Sequence, residues 1–270
     1  MEMKDKTRSK RLFLLAVILV LATALGTAGL SYAITNGVPD KGEHPYVGVV
    51  VYPGDEGAYY FCSGTLIAPQ VFLTAGHCAV DATEAWISFD EVPDFNFKTW
   101  TITGHGVAHP GFGDFALPNT NDIGVILLDQ EVKMETYGVL APLGYLDRFK
   151  NRLGRQETIF EPVGYGVNSY KPRYEWHMSR YKGEQRIINL VNAFAGGYNV
   201  MLTNNPGKGN GVGGTCSGDS GGPILVKDTN IIVGINSFGV APWCKGNDYA
   251  YRIDIMNSYE FVNQFVDVLP

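Results

Sequence analysis

From residue 34 onward the chain is a series of short apolar runs separated by Gly, Pro, Asn and Asp. That rhythm constrains its fold more than any other feature. Val47–Tyr52, Thr65–Ile67, Val71–Thr74, Trp86–Phe89, Thr99–Thr103 and Val125–Leu128 come first. Thr158–Val163, Asn199–Thr203, Pro223–Val226 and Ile231–Ile235 follow. Each is the length of a strand and too short for a typical helix, so the runs predict an all-β barrel or sandwich. The breaks come from a chain with 33 glycines and 14 prolines. One segment departs from the rhythm. Ile255, Tyr259, Val262 and Val266, with Phe265 beside them, line one face of a terminal helix for which Asp254 is the expected cap. The polar, turn-rich stretch from Ala141 to Gln156 reads as a linker between two halves.

The N-terminus carries an export address. Lys4, Lys6, Arg8, Lys10 and Arg11 outweigh Glu2 and Asp5, and Leu12 to Leu30 is free of charge. Ser31-Tyr32-Ala33 then supplies the small residues of a signal-peptidase site. A retained anchor is the rival reading, but Thr23, Gly26, Thr27 and Gly29 weaken the second half of the run. Residues 1–33 are therefore expected to be a signal peptide and the protein to be secreted, soluble and free of the membrane once the signal is removed. The formal net charge of −6 becomes more acidic still without the basic leader, and the basic footprint of a nucleic-acid binder is absent. In an exported chain four cysteines, Cys62, Cys78, Cys216 and Cys244, suggest two disulfides, with three pairings open.

The strongest chemical signal is Gly213-Gly214-Thr215-Cys216-Ser217-Gly218-Asp219-Ser220-Gly221-Gly222-Pro223. A serine on a glycine-rich loop is usually only a turn. Acyl transfer, however, needs a hydroxyl beside a base and backbone N–H groups that converge on an oxyanion, and glycines let a loop aim them. His77, in "LTAGHC", follows a strand-like run and precedes a cysteine, so it is the candidate base. Asp122, in "TNDIGVILL", stands directly ahead of an apolar strand, where a buried carboxylate needs a partner.

Taken together, "LTAGHC", "NDIGVILL" and "GDSGGP", in the order His, Asp, Ser, resemble the chymotrypsin/trypsin-like serine protease family. "FCSGTLIAPQVFLTAGHC", "AHPGF", "VGYGV", "GINSFG" and the terminal helix extend the resemblance over essentially residues 34–268. It implies a secreted serine endopeptidase built as two six-stranded antiparallel β-barrels with a C-terminal α-helix. The peptidase domain is then 34–270, with the first barrel in 34–145, the second in 146–253 and the helix in 254–270. It further implies Ser220 as nucleophile, His77 as general base and acid, and Asp122 as the residue that orients His77. The N–H groups of Gly218 and Ser220 would form the oxyanion hole, and Cys62–Cys78 and Cys216–Cys244 would be the disulfides. The implied partner is a polypeptide substrate and the implied state a monomer.

The family resemblance places Gly214 at the base of the substrate pocket, beside Thr215, which argues against ordinary selection of Arg or Lys. Ser237, Phe238 and Gly239 resemble one pocket wall. The second wall position is Asn247 or Asp248, depending on alignment. Asp248 would attract a basic side chain, Asn247 would not, and the sequence leans to an uncharged preference. His105, His109 and Asp114, and separately Asp90, Glu91 and Asp94, are the only groupings reminiscent of a metal site. His109 belongs to "AHPGF" and reads as a loop residue, the acidic trio reads as a solvated turn, and no metal or cofactor is expected.

In this family the mature chain begins with Ile or Val, whose amino group pairs with the Asp before the nucleophile. Ile34 and Asp219 match those positions. Because Ala33 precedes Ile34, signal-peptide removal itself is expected to expose the activating terminus, against the rival of an earlier cut after Ala24 or Ala28. Two other functions compete. A catalytically dead binding module would usually have lost His77, Asp122 or Ser220, and an esterase of another fold would want Ser ahead of His.

Overall fold

The computed structural model describes residues 34–113, 116–151, 157–169, 173–204 and 213–267. The leader, Asp114 and part of the expected linker lie outside the described residues. Six strands close a barrel: β2 (Val47–Pro53), β3 (Tyr59–Ala68), β4 (Val71–Thr74), β5 (Ala85–Ser88), β6 (Ile102–Ala108) and β7 (Gly124–Leu128), in the order β2-β3-β4-β7-β6-β5. Closure removes the free edges that an open sheet would expose. The pairing of β2 with β5, Val50 against Ile87, completes the ring. Val47, Val49, Leu66, Phe72, Ile87, Val125 and Ile126 are all buried in one hydrophobic cluster, on the two faces of its strands. Gly104 in β6 lies so close to β7 that a Cβ there would strike the Leu127 carbonyl.

The second sheet has nine strands. β1 (Val38–Pro39), β8 (Val139–Leu140), β9 (Phe160–Gly164), β10 (Tyr181–Lys182) and β11 (Ile187–Asn189) are joined by β12 (Asn199–Asn204), β13 (Pro223–Val226), β14 (Ile231–Gly239) and β15 (Gly246–Arg252). Their order is β1-β10-β9-β13-β14-β15-β12-β11, with β8 parallel to β14, so among the described residues this half is an open sheet where six strands in a closed ring were expected. Sequence position and tertiary position also interleave. β1, expected within the first barrel, pairs instead with β10 of the second sheet.

The C-terminal helix runs over Met256–Val262, shorter than the apolar face predicts, and Tyr259 and Val262 are buried beneath it. Asp254 does not cap it. Its carboxylate receives two bonds from Arg252 and one from the Leu146 N–H, and Ile255 holds the cap position without a side-chain bond. A buried guanidinium competes for a carboxylate more strongly than neutral helix N–H groups do. The Tyr259 hydroxyl donates to the Ala141 carbonyl (2.8 Å), tying the helix to the segment that joins the halves. Among the described residues no helix is long and apolar enough to cross a membrane.

Candidate active site

His77 stands on α1 (Gly76–Ala79), a single helical turn directly after β4, and the Cys62–Cys78 disulfide fastens that turn to β3. Asp122, in the segment ahead of β7, is fully buried. Its carboxylate accepts from three donors: the His77 backbone N–H (2.9 Å), His77 Nδ1 (3.0 and 3.1 Å) and the Ser237 hydroxyl. A carboxylate accepts, so Nδ1 is the ring nitrogen that donates to Asp122. The donation from Ser237, a residue foreseen only as pocket wall, links the second sheet to the carboxylate of the first barrel.

Ser220 reaches this place because its loop can lie flat on the first barrel. The Ser63 N–H donates to the Ser220 carbonyl (2.7 Å). Gly221, at φ +79°, sits where a Cβ would collide with Thr74 Oγ1, the Ser63 carbonyl and the Ala75 nitrogen, two residues before His77. Only glycine allows both that conformation and that approach. Gly218, at φ +93°, packs on Gly166, whose Cα would lie 3.0 Å from a Cβ at position 218. Among the described residues the N–H groups of Gly218 and Ser220 donate to no protein acceptor. Cys216–Cys244 is the second disulfide and ties the loop to the start of β15.

Asp219 is buried beneath the same loop. Its two oxygens accept from the N–H groups of Gly166 (2.8 Å) and Cys216 (2.9 Å), and no cation pairs with it among the described residues. Burial drives its carboxyl up to about 8, only partly opposed by those two donors. Ile34 is also fully buried, against Gly213 (φ +87°), and Gly214 N–H donates to the Thr35 carbonyl (3.2 Å).

Beside Ser220 opens a cavity of about 420 Å³. Thr215, Ser237, Phe238, Gly239 and Asp248 line it, and Phe238 stacks face to face on Tyr249 (4.8 Å between centroids). Two expected pocket residues do not line it. Asn247 and Asp248 are neighbours in β15 and so point to opposite faces; Asp248 faces the cavity. Gly214 is displaced from the base by Asn204, whose carboxamide oxygen occupies the space a Cβ on residue 214 would need. Asp248 is buried, and accepts from Asn204 Nδ2, Gln185 Nε2 and the Thr215 N–H (2.7 Å). Burial raises its carboxyl to about 6 against the pull of those donors. Asn204 and Gln185 were not foreseen. Asn204 meets Asp248 through the pairing of β12 with β15, Gln185 reaches it from the segment ahead of β11 that bridges to Phe160, and no local motif announces either.

The candidate metal groupings resolve into ordinary contacts. His109 Nδ1 accepts from the Gly111 N–H (3.0 Å), its ring packs on Phe261, and Glu91 accepts from the Lys41 N–H (2.9 Å).

Comparison with known proteins gives a consistent result. The sequence profile of the family described as Trypsin matches residues 34–262. Brachyurin of Leptuca pugilator is 29% identical over 197 residues, 69% of this chain and 79% of its own. A trypsin of Saccharopolyspora erythraea is 28% identical over 200 residues, covering 73% of this chain and 82% of its own. Among solved structures, HL collagenase superposes with a TM-score of 0.70 at 18% identity, over 88% of this chain and 100% of its own. Human heparin binding protein superposes at 0.64 and 16% identity, over 88% and 98%. At such identities the structural likeness speaks for the fold alone.

Proposed function

The chain belongs to the trypsin family and is a serine endopeptidase, and from that premise we propose that Ser220, His77 and Asp122 are its catalytic triad. One observation carries the reading: the buried Asp122 carboxylate receives His77 Nδ1, which orients the ring and makes Nε2 the nitrogen that exchanges a proton with Ser220. Ser220 Oγ attacks the scissile carbonyl while its proton passes to His77 Nε2. The oxyanion is held by the N–H groups of Gly218 and Ser220. The C–N bond then breaks, the leaving amine takes the proton from His77, and the acyl group remains on Ser220 Oγ. Water repeats the cycle, giving its proton to His77 and releasing the acid.

In this reading the enzyme is secreted, and removal of residues 1–33 is also its activation. The new Ile34 ammonium would enter the site of Asp219, a buried carboxylate otherwise held only by neutral donors. A buried charge so placed favours a cation strongly. Cutting at Ala33–Ile34 would keep the protease silent before export.

A fluorophosphonate probe tests the first part. Processed protein is expected to label and its Ser220→Ala variant not; labelling that survives in Ser220→Ala sinks the assignment. N-terminal sequencing of exported Ser220→Ala protein tests the second. Ile34 is the expected first residue, whereas Leu25 or Gly29 would mean a pro-peptide and a separate activator.

A further inference from the structure

One face of the first barrel is roofed by aromatic rings. Val51 of β2 stands opposite Phe61 of β3 on one side and Trp86 of β5 on the other. Directly opposed residues point to the same face, so Phe61 and Trp86 flank Val51, which is fully buried between them. Phe97, on a 3-10 turn over Phe97–Thr99, lies across them. Its ring centroid is 5.5 Å from that of Trp86, 6.5 Å from Phe61, 4.7 Å from Tyr59 and 6.3 Å from Trp100. Trp176, from the segment ahead of β10, extends the layer, 4.9 Å from Phe61 and 5.9 Å from Phe95. Its indole N–H donates to the Tyr165 carbonyl (2.9 Å), which fixes the ring. Trp100 reaches the barrel core, whereas the other rings pack on one another and keep a side to solvent. Phe95 is 57% exposed and Val92, just before it, 70%.

We propose that this aromatic layer is a docking surface for a segment of the polypeptide substrate that mixes lysine or arginine with apolar residues and lies on the leaving side of the scissile bond, beyond the residues held at the site itself. This rests on the reading of Ser220 as nucleophile and His77 as its base, which fixes the side on which the leaving segment departs.

Continuity with the site gives the direction. His77 hands its proton to the leaving amine, so the leaving segment departs on the His77 side of Ser220. The Cys62–Cys78 disulfide joins the His77 turn to β3, where Phe61 precedes Cys62. From there the layer runs outward, and Tyr59 is about 10 Å further along the strand. Charge gives the class of partner. Asp55 and Glu56 at the turn before β3, Glu84 at the head of β5 and Asp94 beside Phe95 are exposed, and none is paired with a cation among the described residues. Lys98 stands against them. Its ammonium rests 5.4 Å from the Tyr59 centroid, so a ring of the layer already accepts a cation. Arg173 and Glu175 beside Trp176 offset each other. An acidic rim draws a basic segment and repels a second copy of the same face. The rings offer apolar area to the segment's aliphatic residues and π faces to its cations.

The test uses processed enzyme and two peptides that share the residues around the cut. The short one ends there, and the long one continues on the leaving side with about 12 residues of repeating Lys-Leu-Arg-Trp, roughly 40 Å when extended. The kcat/KM of the long peptide is expected to exceed that of the short one by about tenfold at about 50 mM NaCl and to lose most of that advantage at about 500 mM. Phe97→Ser and Trp86→Thr are each expected to lower the long peptide's kcat/KM by about tenfold and to leave the short peptide's unchanged. Should both fail to fold, the pair Glu84→Lys and Asp94→Lys, at exposed positions, is expected to lower it by about fivefold. An extension of Glu-Ser repeats should gain nothing. Equal rates for long and short peptides, an equal gain from Glu-Ser, or variants that slow both peptides alike would overturn the proposal. So would a wild-type dimer that Phe97→Ser dissolves, since a second copy would then occupy the surface. A short peptide left uncut by the wild type would indict the Ser220 assignment instead. Binding of the dye-labelled extension alone to processed Ser220→Ala protein, read by anisotropy, tests the surface without catalysis: saturable binding that Phe97→Ser weakens supports it, and no binding overturns it.

Discussion

Two regions of this molecule bury carboxylates, and they do so in opposite ways. Beside the β1–β10 edge of the second sheet, Asp40 accepts from Arg180 Nε (2.8 Å) and from His44 Nδ1 (2.5 Å). Glu161 meets Lys182 (3.0 Å) and His44 Nε2 (3.4 Å). Burial pushes both acids up, but their partners outweigh it and hold them below their ordinary values. Burial likewise pulls His44 down, yet Asp40 and Glu161 raise it to about 9. Under the nucleophile loop, by contrast, Asp219 and Asp248 have only neutral donors among the described residues, and both are raised. The first cluster is closed and serves to fasten the N-terminal segment to the second sheet. The second holds two buried carboxylates with no cation beside them among the described residues.

The contrast can be broken from either side. Arg180→Leu should be the costliest change, about 3–5 kcal/mol, because it leaves the buried Asp40 with His44 alone and also takes the donor from the Val47 and Phe89 carbonyls. A urea unfolding curve reads it, and a loss below about 1 kcal/mol would mean that the cluster is not a closed set. Asp219→Asn should act with opposite signs on two readouts. It should lower kcat of the processed enzyme by roughly 10²–10³, the cost of a misformed oxyanion hole, while stabilising the unprocessed chain at pH 8. Peptide hydrolysis and unfolding of a Ser220→Ala precursor measure the two, and a destabilised precursor would show that Asp219 is not short of a cation.

The pH dependence of stability sharpens the comparison further. A carboxyl raised from 3.8 to about 8 contributes stability below its unfolded value, which is lost as pH rises through 8. If the Ile34 ammonium pairs with Asp219 as proposed, the unprocessed chain should therefore weaken from pH 4 to 8 more than the processed one. His44, raised from 6.5 to about 9, gives stability that is present below pH 6.5 and lost toward 9, and it should do so equally in both forms. Thermal melts of the two Ser220→Ala forms across pH 4–9 separate the contributions; identical profiles below pH 6.5 would contradict the pairing of Ile34 with Asp219. The smallest effect expected is Lys182→Met, about 1 kcal/mol, because Lys182 divides itself between Glu161 and the exposed Glu43 and leaves Glu161 its histidine. A loss as large as that of Arg180→Leu would place the weight of the cluster on Glu161.

Much of the fold was legible because strands announce themselves locally. Val71–Thr74 and Pro223–Val226 occur as read from their β-branched and apolar residues between turn formers, and most other runs differ by a few residues at their ends. Thr99–Thr103 did not hold. A 3-10 turn covers Phe97–Thr99 and β6 begins at Ile102, since apolar content alone does not say where pairing starts. Asp254 misled for a related reason. A cap is a local inference, and Arg252, two residues away on an adjoining strand, had the stronger claim.

The sequence by itself determined the chemistry on offer. "LTAGHC", "NDIGVILL" and "GDSGGP" each carry their reactive residue together with the glycines or apolar neighbours that aim it, and such information is contained within a few residues. Tertiary structure alone decided which charges meet. Asn247 or Asp248 was left open on paper, with a lean to an uncharged pocket, and of the two it is Asp248 that lines the cavity, because neighbours in β15 point to opposite faces. Asn204 and Gln185 reach Asp248 from strand and loop positions 44 and 63 residues away. Pair energies depend on distance and burial, and neither quantity exists until strand register has been fixed.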